Sequence, residues 1–159
     1  MSLLSPIAAA VTGGESLRPG DDPFNALVEF YLCFNHRDLR GLSQNWLCGA
    51  EPSMDNPIGG IRRGWDEIRA GYDKLFNGPA RIEVEFHDYT QQRGEDWCLF
   101  VGRERGSCVV GGETLALAIR TTRWFVRRDG RWLQLHHHGS IEKAALLADY
   151  QRLIFGAPL

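Results

Sequence analysis

Three consecutive histidines lie near the end of the chain, between an arginine and a serine. His136, His137 and His138 follow Arg123 and are followed by Ser140. An imidazole can exchange a proton near neutral pH, and the donors of a guanidinium suit a carboxylate. Residues of these types could bind an organic anion or perform acid–base chemistry.

Their arrangement follows from the turn between them. Asp129-Gly130 predicts a two-residue hairpin turn, because such turns favour positive φ, and this register places Arg123 opposite His136. Side chains alternate between the faces of a strand, so we expect one polar and one apolar face. The polar set is Thr121, Arg123, Gln134, His136, His138 and Ser140, and the apolar set is Trp124, Val126, Leu133, Leu135 and His137. The polar face is either a pocket wall or solvated surface.

Strand alternation also restricts metal binding. His137 is expected to point away from His136 and His138, so the run by itself cannot supply three ligands to one ion. Two histidines with an acid such as Glu104 are the alternative. We predict no metal and no cofactor.

Asp55 is the candidate general base. It begins the stretch Asp55-Asn56-Pro57-Ile58-Gly59, and a carboxylate in an apolar cleft can abstract a proton next to a carbonyl. His138 would then be the acid. The alternative is that Asp55 is a turn residue that accepts hydrogen bonds from local backbone N–H groups.

Two further groups could complete a pocket. Arg103 would join Arg123 only if a β-bulge shifts the alternation, because a simple Gly111-Gly112 turn pairs Arg103 with Arg120 on the other face. Trp65 and Trp132 could form the floor of the pocket, although packing is the usual role of tryptophan.

Periodicity predicts the elements that position these residues. Helices are expected from Pro23 to about Asn35, from Leu39 to Trp46, from Trp65 to Phe76 and from Ala144 to Phe155. Strands are expected from Arg81, and over Trp97–Val110, Glu113–Arg128 and Arg131–Ile141. Helices followed by an antiparallel meander indicate an α+β fold. Residues 1–21 are predicted to be a loose leader and residues 22–159 one domain.

Composition excludes several classes of function. The 159 residues include 18 Lys and Arg against 20 Asp and Glu, which lacks the basic excess of a nucleic-acid binder. No stretch approaches the roughly 20 apolar residues that span a bilayer. The four cysteines form no C-x-x-C pair, which favours reduced thiols in a cytoplasmic protein; a secreted disulfide is the alternative.

Two motifs carry a resemblance to known families. The segment from Thr122-Arg123-Trp124 through Asp129-Gly130 to His136-His137-His138-Gly139-Ser140 is similar to the end of the association domain of calcium/calmodulin-dependent protein kinase II. Asp55-Asn56-Pro57-Ile58-Gly59, followed by Gly64, resembles the loop of ketosteroid isomerases that carries the catalytic Asp. Over roughly residues 22–141, the chain resembles the SnoaL-like branch of the nuclear transport factor 2-like superfamily.

The resemblance implies a cone-shaped (cystatin-like), curved antiparallel sheet with N-terminal helices packed over a pocket. It also implies a homodimer built by packing sheet against sheet. In the kinase association domain, the arginines that match Arg103 and Arg123 bind small carboxylates. The oxyanion donors of ketosteroid isomerases are not matched here, since Phe30 stands at the place of the tyrosine. Tyr31 is one step round the helix and is expected to face elsewhere, so steroid isomerisation is not predicted.

These observations predict a pocket for a small polar or anionic molecule, such as a carboxylate. Arg123 would bind the anion, and His136 or His138 would hydrogen-bond it beside Gln134 and Ser140. Any catalysis would be cofactor-free isomerisation, cyclisation, hydration or dehydration. The alternative is a non-catalytic assembly module that uses the face of Trp124, Leu133 and Leu135.

Overall fold

The computed structural model describes residues 4–156 and contains four helices and six strands in an α+β arrangement. The elements are α1 (Pro23–Asn35), α2 (Leu39–Asn45), β1 (Ser53–Asp55), β2 (Ile61–Arg63), α3 (Trp65–Asn77), β3 (Arg81–Arg93), β4 (Trp97–Val110), β5 (Glu113–Arg128), β6 (Arg131–Ile141) and α4 (Ala144–Phe155). The strands form one curved, unclosed sheet in the order β2-β1-β6-β5-β4-β3. The predicted fold class is confirmed, with one parallel pairing, between β1 and β6, in an otherwise antiparallel sheet.

The helix boundaries follow from local sequence signals. The Asp22 carboxylate accepts a hydrogen bond of 2.9 Å from the Phe24 N–H, and Pro23 occupies the first turn, where it costs no intrahelical bond. Helix α4 ends at Gly156, whose φ of 83° gives the left-handed conformation that closes many helices. In α1, Phe30 and Tyr31 are both fully buried, because the helix packs against both β3 and β6.

We call the sheet face that the helices cover the inner face and the opposite one the outer face. Apolar side chains of the inner face, including Phe86, Phe100 and Phe125, form the core together with Leu27 and Phe30 of α1. Between α2 and α3 the chain forms the short β1–β2 hairpin. Strand β1 adds to the edge of β6, placing Ser53 beside His136 and Asp55 beside His138.

The register between β5 and β6 differs from the prediction. The pairs run from Arg128 with Arg131 to Phe125 with Gln134 as expected, but Trp124 then pairs with His136. Leu135 is therefore an extra residue, a β-bulge that reverses the alternation beyond it. Arg123 pairs with His137 rather than His136.

The predicted polar face is consequently wrong. Arg123, Gln134 and His137 lie on the inner face and are buried. His136, His138 and Ser140 lie on the outer face, with His138 exposed. A single inserted residue thus divides the candidate site between the two sides of the sheet.

The segment predicted to be a loose leader is packed against the domain. Ile7 and Val11 form bridges with Tyr89 and Phe86 on the free edge of β3, and Val11 is buried. At Gly13, whose φ is 94°, a Cβ would lie 2.4 Å from the backbone nitrogen of Leu32, so the chain crosses α1 closely where only glycine fits. Residues 1–3 lie outside the described part.

Two expectations about the chain as a whole can also be compared with the structure. All four cysteines are free in the structure; Cys98 and Cys108 are buried, Cys33 is half-buried and Cys48 is exposed. Within residues 4–156, no helix combines the length and apolar character needed to cross a membrane.

Candidate functional site

A cavity of about 330 Å³ lies between the inner face and helices α1, α3 and α4. Most of its wall is apolar. The apolar side chains include Phe34, Leu75, Ile82, Leu117, Ile119 and Leu153. The polar side chains on its wall include Glu104 and His137 from the sheet and Tyr72 and Tyr150 from the helices. Such a surface suits a mainly apolar molecule with a few hydrogen-bonding groups.

Arg123 anchors the polar end of this region but does not line the cavity. Its Nε donates to the Tyr31 hydroxyl at 3.1 Å, Nη1 to Gln134 Oε1 at 2.7 Å and Nη2 to Glu104 Oε1 at 2.7 Å. Its guanidinium carbon also lies 3.5 Å from the ring centroid of Phe30, close enough for a cation–π contact. The predicted role of Arg123 in binding an anion is not supported, because each of its nitrogens donates within the protein.

The electrostatics of Arg123 lead to the same conclusion. Burial alone would lower the pKa of the guanidinium, but Tyr31 and Glu104 outweigh burial and raise the pKa. Arg123 is a charged group neutralised by Glu104, and it orients Tyr31, Gln134 and Glu104.

Glu104 presents an acceptor to the cavity. Its carboxylate is buried, and Oε1 accepts hydrogen bonds from both Arg123 and the Tyr31 hydroxyl, the latter at 2.8 Å. No donor from residues 4–156 bonds to Oε2. Since Glu104 lines the cavity, this second oxygen can accept an O–H or N–H from a bound molecule. Tyr31, expected to face elsewhere, lies inside this network.

His137 is a second polar group that the sheet contributes to the cavity wall. Its Nδ1 makes a long hydrogen bond of 3.3 Å to the Thr122 carbonyl, which requires the proton on Nδ1 and leaves Nε2 as an acceptor. Burial, together with the charge of Arg123, holds the pKa of His137 well below its usual value. The ring is therefore neutral at physiological pH.

The predicted base and acid meet on the outer face instead. Asp55 Oδ2 lies 2.7 Å from His138 Nδ1, and Ser53 Oγ lies 2.8 Å from His136 Nδ1. Asp55 and His138 are therefore in contact with each other, on the side of the sheet opposite the cavity. The loop that follows Asp55 does reach the cavity, through Asn56, Pro57 and Ile58.

Comparisons with known proteins place this geometry in a family. The SnoaL-like domain family matches residues 25–143. The chain belongs to the SnoaL-like family. A comparison with curated protein sequences finds no significant match.

Solved structures support the same superfamily. A proposed dehydratase of the NTF2-like family from Streptomyces avermitilis aligns with a TM-score of 0.69 and 20% identity, over 75% of this chain and 93% of that one. A proposed calcium/calmodulin-dependent protein kinase type II association domain from Thiobacillus denitrificans aligns with a TM-score of 0.64 and 23% identity, over 80% and 100%. A protein with a cystatin-like fold from Caulobacter vibrioides aligns with a TM-score of 0.60 and 18% identity, over 80% and 92%. At these identities the likeness establishes the fold.

The second arginine of the kinase motif does not share a site with Arg123 in this SnoaL-like domain. The β4–β5 register is unbroken and pairs Arg103 with Arg120, so Arg103 lies on the outer face. There it forms ion pairs with Asp88, at 3.0 Å, and with Glu142. A shallow groove on the outer face contains Arg103, Arg120, Thr122, His138 and Ser140.

The two tryptophans predicted to floor the pocket have packing roles in this SnoaL-like domain. Trp65 stacks on Trp46 with ring centroids 6.3 Å apart, and Arg93 lies over the Trp132 ring at 5.8 Å. Neither tryptophan belongs to the cavity wall.

Sequence reasoning missed three members of the inner site for identifiable reasons. His137 was assigned to the wrong face because the bulge at Leu135 leaves no clear sequence signal. Tyr31 was assigned away from the site because one helix face was assumed to be buried, whereas α1 buries a wider one. Glu104 was considered only as a metal ligand, although an acid within an apolar strand also indicates a buried partner.

Proposed function

We propose that this SnoaL-like domain binds a small, uncharged organic molecule in the inner cavity and catalyses cofactor-free proton transfer on it. The observation that carries the proposal is that Glu104 and His137 both line a cavity whose wall is mainly apolar. The cavity volume of about 330 Å³ lies in the range of small-ligand sites, about 300–1,000 Å³.

The charges next to Glu104 favour an uncharged group at that end of the cavity, whose wall also includes Arg62 and Lys74. Arg123 is already paired with Glu104, so it offers no free positive charge, and a carboxylate on the cavity wall repels an anion. We therefore revise the carboxylate expectation to a molecule with a hydroxyl or amine donor for Glu104 and a weakly acidic proton near His137.

The proton-transfer step can be written with the groups present. His137 Nε2 takes a proton from a carbon next to a carbonyl, and the resulting imidazolium returns a proton to a departing hydroxyl group. The substrate then loses one water molecule and gains a double bond. The low pKa of His137 makes the imidazolium a strong acid, which suits the second half of this step. It also makes Nε2 a weak base, so the first half requires a C–H that the adjacent carbonyl acidifies. Return of the proton to another carbon instead would give an isomerisation.

A ligand screen with matched histidine variants tests the proposal. Neutral cyclic hydroxyketones and their carboxylate analogues are compared by thermal shift and calorimetry, with EDTA present. We expect stabilisation by the neutral series, loss of that stabilisation in His137→Asn, and no change in His136→Asn. His136 is the adjacent residue on the opposite face, so it controls for general effects on β6. Stabilisation that survives His137→Asn, or that appears only with carboxylates, would contradict the proposal.

We also propose that the domain forms a homodimer through the outer face of β4 and β5. Trp97, Val101 and Trp124 are about 40% exposed there (39%, 42% and 40%), which is a large apolar surface to leave in water. Sedimentation velocity should show a dimer for the wild type and a monomer for Trp124→Glu. A monomeric wild type at all concentrations would refute this part.

A further inference from the structure

Three potential metal ligands converge on the outer face where β1 joins β6. One ligand atom each from Asp55, His136 and His138 lies within 4.8 Å of the others. His136 and His138 are two residues apart beyond the bulge, so their side chains leave the same face. The parallel pairing of β1 then places Asp55 beside His138. We propose that these three residues bind a divalent transition-metal ion.

The chemistry of the donors defines the class of ion. Two imidazole nitrogens and one carboxylate oxygen suit zinc or iron(II), whereas magnesium and calcium prefer oxygen ligands alone. Three protein ligands also leave at least one coordination position open, as in reactive metal sites rather than closed structural ones.

The observed distances require only small side-chain movements. With metal–ligand bonds of about 2.0–2.1 Å, neighbouring ligand atoms in a tetrahedral site lie about 3.3 Å apart. Asp55 Oδ2 and His138 Nδ1 are already hydrogen-bonded at 2.7 Å, and the ion would replace this hydrogen bond. The His138 side chain is 52% exposed and that of Asp55 31%, so both have room to adjust.

Ser53 supports the third ligand. Its hydroxyl is hydrogen-bonded to His136 Nδ1 at 2.8 Å, which fixes the ring and leaves Nε2 to coordinate. A partner on the second ring nitrogen is usual for metal-bound histidine, and it sets both ring orientation and tautomer. Ser53, His136, Asp55 and His138 therefore provide three ligands and a support for one of them.

A second histidine–carboxylate pair provides a matched control. His87 Nε2 lies 3.0 Å from Glu85 Oε2 and is partly exposed, but this pair belongs to no three-ligand group within residues 4–156. If any surface histidine bound zinc, substitution of either pair would weaken zinc binding. If the three-ligand site binds zinc, only substitution of the Asp55–His138 pair would do so.

Titration with zinc alone, after removal of bound metal with EDTA and dialysis, tests the site. The protein is used in its solution oligomeric state, because the outer face is also the proposed dimer surface. We expect saturable binding of one zinc ion per chain, with no response to magnesium. Asp55→Asn and His138→Ala should each weaken binding by more than about 10-fold, and Ser53→Ala by about 10-fold. His87→Ala should bind like the wild type.

Three results would overturn the proposal. They are no saturable zinc binding by the wild type, unchanged affinity in His138→Ala, and an equal loss in His87→Ala. Circular dichroism of each variant establishes that it is folded. Ser53→Ala removes no metal ligand. Weaker zinc binding by a folded Ser53→Ala variant would therefore show that His136 coordinates the ion and that its orientation matters. None of these results depends on the ligand of the inner cavity.

Discussion

Replacement of Arg123 by methionine should destabilise the domain strongly. Arg123→Met keeps most of the side-chain volume but leaves the Glu104 carboxylate without its counterion and Gln134 Oε1 without a donor. Both residues are buried. Removing one partner of a buried ion pair costs about 3–5 kcal/mol. For a chain of this length, about 2–4 °C per kcal/mol makes the expected fall in Tm about 10 °C.

A double-mutant cycle identifies the cause of that loss. In Arg123→Met/Glu104→Gln no buried charge remains, and the amide at position 104 still accepts from the Tyr31 hydroxyl. Replacing both charges of a buried pair is often close to neutral, so the double variant should be more stable than Arg123→Met alone. Urea unfolding followed by tryptophan fluorescence measures all four proteins.

An exposed ion pair of nearly the same length is the control. Arg152 and Glu113 are 2.6 Å apart, as against 2.7 Å for Arg123 and Glu104, but their side chains are 49% and 53% exposed rather than 3% and 5%. Arg152→Met should therefore unfold close to the wild type. If the two single losses simply add in the double variant, within about 0.5 kcal/mol, the buried pair is not coupled and the reasoning fails.

Three further predictions concern other parts of the domain. The pKa of His137 is depressed in the fold, so below about pH 6.5 the unfolded chain binds a proton at this residue that the folded chain does not bind. The free energy of unfolding should therefore be highest above about pH 6.5 and fall as the pH drops below it. His137→Gln should remove that part of the pH dependence. Cys48 is exposed and should react with a thiol reagent in the folded protein, whereas Cys98, buried with a pKa of about 11, should react only after urea unfolding; equal rates would contradict the fold. A Cβ at Gly106 would lie 1.9 Å from the Glu83 carbonyl oxygen, so Gly106→Ala should cost about 1–3 kcal/mol in urea unfolding, with Gly14→Ala unchanged.

Much of the fold could be predicted from local signals. The predicted β4, β5, β6 and α4 match the structure in both bounds, because Gly111-Gly112, Asp129-Gly130 and Gly156 are strong terminators. The order of helices and strands was enough to give the α+β class. Local signals could not reveal the packing of residues 7–11 against β3, since the two isolated bridges depend on where that edge lies in space.

The candidate site was harder to predict than the fold. The face on which a side chain lies is predicted by counting residues from the turn. The bulge at Leu135 moves every later residue of β6 to the face opposite the one predicted. His137 moved inward and His136, His138 and Ser140 outward for that single reason. Arg103 lies opposite Arg120, as a simple Gly111-Gly112 turn predicts, since the β4–β5 register contains no bulge. The Asp55–His138 contact arises from the parallel pairing of β1 with β6. These strands are far apart in the sequence, and no hydrophobic periodicity indicates that they pair.

The sequence separations between Arg123 and its partners also predict an order of assembly for the domain. Its partners Gln134 and Glu104 are 11 and 19 residues away along the chain, whereas Tyr31 is 92 residues away. Closing a longer loop costs more chain entropy, so the meander can form its side of the network before α1 arrives. Until then the guanidinium stays hydrated over an open sheet. Docking of α1 removes that water and supplies the Phe30 ring and the Tyr31 hydroxyl in the same step, so helix and sheet become one cooperative folding unit.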